Sequence, residues 1–322
     1  MMQVLSLKKK REAKAVNLIA RSIVKLQAKV RDTTAQELGR PLLILLLLGY
    51  QGVSCNAVQC DENNASANET AYKAYRIGVD MGIINPQKYP LDSFERDERN
   101  VFRDLYGEYK SMNGSVPINY AEWLVMNHFG ILPDTQESLF QRKITKRSTA
   151  DNKRRFINTV KKGDILITGR GIGGLVGHAA IMTSDYWVLE MPGGGGWEHG
   201  IRDNNRQIGK DKWFDEHASD WTTVYRCPDG AAARGAAGWA DRTYYNPSGG
   251  AKKLKHITYK ITTDIWKTNP SYCSKLVVQA YYFGTGSKKV IKDLSLIGRI
   301  IVPSTIPSYF LHPYQLVNKG KY

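Results

Sequence analysis

The 322 residues contain only four cysteines, Cys55, Cys60, Cys227 and Cys273, and no two stand in CxxC spacing. That argues against a structural zinc site and a dense disulfide framework, and leaves at least one thiol free for chemistry. No fixed-period repeat is present, and 12 prolines and 29 glycines are ordinary for this length. Solenoid, collagen-like and wholly disordered classes are thereby excluded. Acidic residues are scarce, 30 against 46 lysines and arginines, giving a formal net charge of +16. The basic runs nevertheless lack interleaved aromatics, and no zinc-finger spacing or RNA-binding aromatic motif accompanies them, so nucleic acid is not an expected partner.

What is present is a chain with 42% apolar residues, enough for one or two globular domains. Met1 to Pro41 is strongly basic, opposed only by Glu12, Asp32 and Glu37, and Val16, Ile19, Ile23, Leu26 and Val30 recur at helical steps. That stripe predicts a basic amphipathic helix suited to an anionic membrane or cell-wall surface. An apolar block, Leu42 to Leu48, follows and leads through small residues into Gly52-Val-Ser-Cys55. This is the order of a secretory signal, with processing expected near Ser54 to Ala57 and Cys55 as a loose match to a lipoprotein site. The block is too short to span a bilayer without its flanks, so residues 1–60 read as a signal or anchor of a secreted or membrane-anchored, extracytoplasmic protein.

Asp61 to Thr70 is polar and reads as an exposed linker carrying Asn64-Ala-Ser66 and Asn68-Glu-Thr70. Ala71 to about Asp151 reads as helical, with Phe94, Val101, Phe102, Leu105 and Tyr109 at helical steps and Asn119 capping a segment from Ala121 to His128. This linker and helical region, 61–155, carries no catalytic constellation, and His128 reads as structural. A second basic stretch, Arg142 to Lys162, is opposed only by Asp151.

From Lys162 the periodicity changes to two, predicting strands at 164–168, 178–182, 186–190 and 222–226. Gly169-Arg-Gly-Ile-Gly-Gly174 resembles a phosphate cradle, but a strand follows it and no Gly-Lys-Ser/Thr appears, so it reads as a mobile connection. A hairpin with the loop Thr183-Ser184-Asp185 pairs Met182 with Tyr186 and therefore His178 with Glu190. Both side chains then share a face, and a carboxylate can hold one imidazole nitrogen protonated while the other works as a base. The outcome depends on loop parity, since a loop of two or four residues sends Glu190 to the opposite face.

Asn269-Pro-Ser-Tyr-Cys273-Ser-Lys-Leu-Val-Val-Gln-Ala-Tyr281 predicts a helix with Ser271 as cap and with Cys273, Leu276, Val277 and Ala280 on one face. A thiol on the first turn meets the positive end of the helix dipole, which favours its thiolate, and amides of that turn can hold an oxyanion. His199, His217 and His256 lack metal-ligand spacing and read as surface or structural histidines. Cys227, just after a strand, reads as buried and inert.

These motifs together resemble the permuted papain-like amidases of the NlpC superfamily, the YaeF/YiiX-like group. The resemblance rests on Gly163-Asp-Ile-Leu166, Gly177-His-Ala-Ala-Ile181, a strand ending in Glu190, Tyr272-Cys-Ser-Lys-Leu-Val277, and a Pro-containing strand exit at Ile301-Val-Pro-Ser-Thr-Ile306. His178 precedes Cys273, the mark of permutation. It covers about Lys161 to Leu316. It implies an α+β fold, a circularly permuted papain-like domain over residues 156–322 with an antiparallel sheet packed on the cysteine-bearing helix, preceded by the helical region. It implies a cysteine hydrolase acting on amide or peptide bonds, cell-wall peptides among them. Cys273 would be the nucleophile, His178 the base and Glu190 its orienting partner, with Tyr272 and Ser274 near the oxyanion and substrate and no metal or organic cofactor required. Glu198 and His199 are the fallback for the third position. The expected partner is a peptide or acyl substrate; nothing in the sequence fixes the oligomeric state. Two alternatives stand beside this reading: a lipid acyltransferase or thioesterase with the same chemistry and a different acceptor, and a non-catalytic binding module that keeps the thiol for packing.

Overall fold

A computed structural model of the protein describes residues 64–111, 118–141, 148–169, 175–297 and 300–322. The basic amphipathic stretch, the apolar block, Cys55 and most of the glycine-rich connection before β2 lie outside the described residues. Residues 62–322 form one compact unit of α+β architecture.

The unit opens on α1 (Asn64–Asp80), so a helix begins where an exposed linker was expected. The segment has no proline and no glycine before Gly78, and Ala71, Ala74 and Tyr75 bury one side of it against Phe94, which is enough to draw the polar lead into the helix. After it come α2 (Leu91–Asp97), a π-helical turn (Glu98–Phe102), α3 (Arg103–Ser111) and α4 (Tyr120–Met126). Asn119 caps α4 as expected, in a full capping box with Glu122. An aromatic cluster of Tyr75, Tyr89, Phe94, Phe102, Trp123 and Phe129 forms the core of these helices.

Helix α5 (Thr149–Thr159) leads into a sheet of six antiparallel strands: β1 (Ile165–Thr168), β2 (His178–Met182), β3 (Trp187–Glu190), β4 (Arg206–Gly209), β5 (Thr223–Arg226) and β6 (Val317–Lys321), in the order β4-β3-β2-β1-β5-β6. The expected boundary at 155/156 falls inside α5. Alternation divides the sheet between two cores. Ile165, Ile167, Ala179, Ile181 and Leu189 join the larger core, which also contains the N-terminal helices, α7 (Gly230–Tyr244) and α8 (Cys273–Phe283). Leu166, Ala180, Met182, Val188, Ile208 and Val224 face Phe156 of α5 and Trp213 and Phe214 of α6 (Lys210–Glu216).

The β2–β3 hairpin pairs Ala180 with Glu190 and Met182 with Val188, two residues out of the expected register. The turn is Ser184-Asp185-Tyr186, closed by the Thr183 amide donating to the Trp187 carbonyl, 2.9 Å. A shift of two conserves parity, so His178 and Glu190 remain on one face as diagonal rather than direct neighbours. Helix α8 is buried on every side from Cys273 to Tyr281 rather than on one stripe. Its N-cap is Tyr272; Ser271, the expected cap, instead hydrogen-bonds the Tyr244 hydroxyl, 3.0 Å. The proline-containing exit is not a strand, because Pro303 to Tyr309 form a 3-10 helix.

Candidate active site

His178 is the first residue of β2, and the turn that aims it depends on Gly177. Gly177 has φ of 91°, and a Cβ there would lie 3.0 Å from the Thr168 carbonyl oxygen, so only glycine enters the strand this way. At the strand's end the imidazole meets groups from both layers. Its Nε2–H donates to Glu190 Oε2, 2.8 Å, and Cys273, the first residue of α8, is near enough for the thiol and the imidazole each to shift the other's pKa. All three residues are buried: His178 is 6% exposed, Cys273 4% and Glu190 0%.

Burial disfavours charge at each of them, yet mutual contacts outweigh it. For His178, burial lowers the pKa, but hydrogen bonds and charge from Cys273 and Glu190 push it up to about 10. For Cys273, burial raises the pKa, but the hydrogen bond and charge of His178, with the amides of Ala179 and Ser274, bring it below its ordinary value. Glu190 is likewise held low against burial by His178, Arg206 and His217. The directions of these shifts favour a thiolate beside an imidazolium, with a carboxylate to orient the ring.

Four further residues build the setting. Arg206 of β4 donates from Nε to Glu190 Oε1, 2.7 Å, and from Nη2 to Glu216 Oε2, 2.6 Å, so an arginine bridges the buried carboxylate to a second acid. Trp213 and His217 of the α6 region stack at 3.9 Å between ring centroids and stand beside His178 at 5.6 and 5.9 Å. Read as merely surface or structural from sequence, His217 is buried next to the site; its four-residue spacing from Trp213, which puts both rings on one helical face, was the available signal. Arg206 had none, since a short edge strand places it.

Tyr272 and Ser274 flank Cys273 but grip another segment. The Ile301 amide donates to the Tyr272 hydroxyl, 3.0 Å, and Ser274 Oγ donates to the Ile301 carbonyl, 2.6 Å. Their side chains thus anchor α8, leaving main-chain amides as their means of meeting an oxyanion. Tyr259 is a different matter. It is buried, and its pKa is raised first by burial and then by the charge of Cys273, so it stays a protonated hydroxyl within electrostatic reach of the sulfur. Glu198 pairs with the exposed His199 at 3.7 Å and makes no described contact with His178, whose carboxylate partner is Glu190. Cys227 is buried, with its thiol pushed up by burial.

His178, Glu190 and His217 place ligand atoms within 4.8 Å of one another, a donor set that could hold a cation. The guanidinium on Glu190 and the raised pKa of His178 favour a proton in that position instead.

Residues 130–322, more than half of the chain, match the family model described as lipoprotein N-acylation protein LnsA-like, a family related to the YiiX/NlpC-like fold. The chain belongs to this LnsA-like family. A protein of Bacillus thuringiensis, described as an uncharacterized 30.3 kDa protein, is 32% identical over 245 residues, 75% of this chain and 85% of that one. No solved structure matches. Membership does not bear out the amidase family expected from the motifs; an N-acylation family agrees better with the alternative of acyl transfer than with cleavage of peptides. Among the described residues no helix is long and apolar enough to cross a membrane.

Proposed function

We propose that this LnsA-like protein is a membrane-associated, extracytoplasmic acyltransferase that carries an acyl group on Cys273 from a lipid ester to an amine, on a permuted papain-like domain. The observation that carries the reading is the buried Cys273–His178–Glu190 contact chain, with the thiol lowered and the imidazole raised. The order of elements, a histidine strand, a glutamate strand and then a cysteine helix, supports the permuted fold.

In the first half-reaction the Cys273 thiolate attacks the ester carbonyl. A C–S bond forms, the C–O bond breaks, and the His178 imidazolium gives its proton to the leaving alkoxide, so the lipid departs as an alcohol. In the second, an amine attacks the thioester. The C–N bond forms, the C–S bond breaks, and His178 accepts the amine's proton, restoring the ion pair. Glu190 holds the imidazole in the tautomer and orientation both halves need. The Cys273 and Ser274 amides and the Tyr259 hydroxyl are the donors offered to the oxyanion. Water in place of the amine gives hydrolysis, so exclusion of water by the burial around Cys273 is part of the selectivity.

The test incubates full-length protein and its Cys273→Ala variant with a labelled diacyl phospholipid and a lipopeptide bearing a free α-amine. Intact-mass analysis is expected to find an acyl adduct on Cys273, released by hydroxylamine and absent from the variant, and an N-acylated lipopeptide. Transfer that persists in Cys273→Ala overturns the mechanism; free fatty acid as the sole product, lost in the variant, makes the protein a hydrolase.

A further inference from the structure

Glu190 has two carboxylate oxygens, and His178 occupies one of them. Oε2 accepts from His178 Nε2, 2.8 Å, while Oε1 is taken by Arg206 of β4. A buried carboxylate held by one oxygen alone can turn about its last side-chain bond, and burial favours its taking up a proton. Either change breaks its hold on the imidazole. Arg206 stands directly opposite Glu190 in the β3–β4 register, so the two side chains share a face. Its Nε donates to Oε1, 2.7 Å, and its Nη2 lies 2.6 Å from the same atom. His178, Glu190 and Arg206 thus form one row across β2, β3 and β4.

The guanidinium is aimed in its turn. Glu216 Oε2 accepts from Arg206 Nη2, 2.6 Å, and Lys212 Nζ stands 3.7 Å from Glu216 Oε1. Glu216 ends α6, whose Trp213 and Phe214 are buried in the smaller core and whose Asp215 pairs with Lys153 of α5 at 2.6 Å. Because β4 is an edge strand, no further strand fixes the outer side of Arg206, and α6 does so instead. Charge therefore alternates from the imidazole through Glu190, Arg206 and Glu216 to Lys212, from a wholly buried carboxylate to a half-exposed surface. The planar fork of arginine meets two carboxylates at once in fixed directions, whereas an ammonium acts as a point charge. A second buried pair, Arg226 on Asp164 at 2.6 and 2.7 Å, lies beside Met182 at the other end of β2 and has no imidazole to orient.

The geometry points to Arg206 as a positioning residue for the reaction: braced by Glu216, it fixes the Glu190 carboxylate so that Oε2 stays on His178 while the imidazole gives up and takes back its proton. This role rests on the parts given to His178 and Glu190 in acyl transfer. It is read through the Cys273 thiol itself, so it fails separately from the choice of acyl donor and acceptor.

The test is a double-variant cycle on full-length protein, with the rate of Cys273 alkylation by iodoacetamide recorded against pH and thermal melting recorded beside it. Arg206→Gln is expected to slow labelling at neutral pH about fivefold to tenfold and to move the pH profile toward that of an ordinary thiol. Arg206→Lys recovers part of the rate, and Glu216→Gln costs about twofold. In a Glu190→Gln background, Arg206→Gln slows labelling by no more than about a further twofold, because the group through which it acts is already gone. Arg226→Gln serves as the control for a merely structural pair, with a lower melting temperature and labelling unchanged. Should Arg206→Gln fail to fold, Arg206→Lys and Glu216→Gln carry the same cycle. Arg206 variants that melt lower yet label at the wild-type rate, labelling that quickens, or losses that multiply fully with Glu190→Gln would each overturn the proposal. Intact labelling behaviour without any acyl adduct on Cys273 would overturn acyl transfer and leave the role of Arg206 standing.

Discussion

At the scale of single residues, the candidate site sets the Cys273 thiol and the His178 imidazole side by side inside the protein, each shifting the other's pKa. Cys273 is lowered from its ordinary thiol value and His178 is raised to about 10. The ion pair therefore persists from the folded pKa of Cys273 up to about pH 10, and its members titrate together. Its contribution through His178 is fully present below about pH 6.5 and is lost as pH rises through about 10; that through Cys273 is lost as pH falls through its lowered value. Cys227 is shifted the other way by burial. Iodoacetamide at neutral pH is accordingly expected to label Cys273 and spare Cys227, as peptide mapping by mass will read; equal labelling would contradict the pair. Glu190→Gln removes the charge that helps hold His178 protonated, so Cys273 reverts toward an ordinary thiol and labelling at neutral pH falls on the order of tenfold. The same change leaves Arg206 short of a carboxylate and costs about 1–3 kcal/mol, visible as a lower melting temperature. Tyr259→Phe tests the oxyanion donor: acyl-enzyme formation is expected to slow by roughly 10²-fold while labelling of Cys273 continues unchanged. The placement of Cys273, His178 and Glu190 was legible because a helix start and a period-two hairpin each put a side chain on a known face. Arg206, Trp213 and His217 were not, because only the folding of β4 and α6 over the far side of the sheet brings them to the imidazole.

At the scale of elements, legibility followed burial. Strands β1, β2, β3 and β5 are largely buried, all but the alanine-containing β2 are rich in branched and aromatic residues, and their positions could be read from the chain. The edge strands β4 and β6 are Arg-Gln-Ile-Gly and Val-Asn-Lys-Gly-Lys; their pairing comes from neighbouring strands rather than from their own pattern. Helix α7 was silent for another reason. Its sequence, rich in alanine with three glycines, has little apolar periodicity, and its role is close approach. A Cβ at Gly235 would stand 2.3 Å from the Gly284 carbonyl oxygen just past the end of α8, while Ala236 and Ala240 fill the rest of the contact. Gly235→Val is therefore expected to force α7 and α8 apart and destabilise the protein by about 1–3 kcal/mol. Differential scanning calorimetry will read this as a lower midpoint, by about 2–4 °C for each kcal/mol. An unchanged midpoint would mean that the two helices have slack at this contact.

At the scale of the whole molecule, the N-terminal helices are continuous with the half that carries Cys273 rather than appended to it. Their buried residues share one core with the sheet and with α8, and Asn127 ties them to the site. Its Oδ1 accepts the Val176 amide, two residues before His178; its Nδ2 donates to the Trp123 carbonyl; and its own carbonyl accepts from Ser304 Oγ. Sequence alone separated this region from the half that carries Cys273, since nothing in a helical periodicity states which neighbour its apolar side will cover. Two outcomes follow from the shared core. A chain beginning at residue 148 would expose the surfaces now covered by Leu139, Phe129 and Leu132, and it is expected to aggregate rather than yield a soluble half with a reactive thiol. Asn127→Ala leaves the buried Val176 amide without its acceptor, a loss of about 1–3 kcal/mol, and loosens the turn that aims His178. Cys273 labelling should slow in that variant although Cys273, His178 and Glu190 are all unaltered. Both effects are measured by thermal melting and alkylation kinetics on full-length protein. A stable, reactive fragment from 148 onward would show instead that the helices are dispensable to the site.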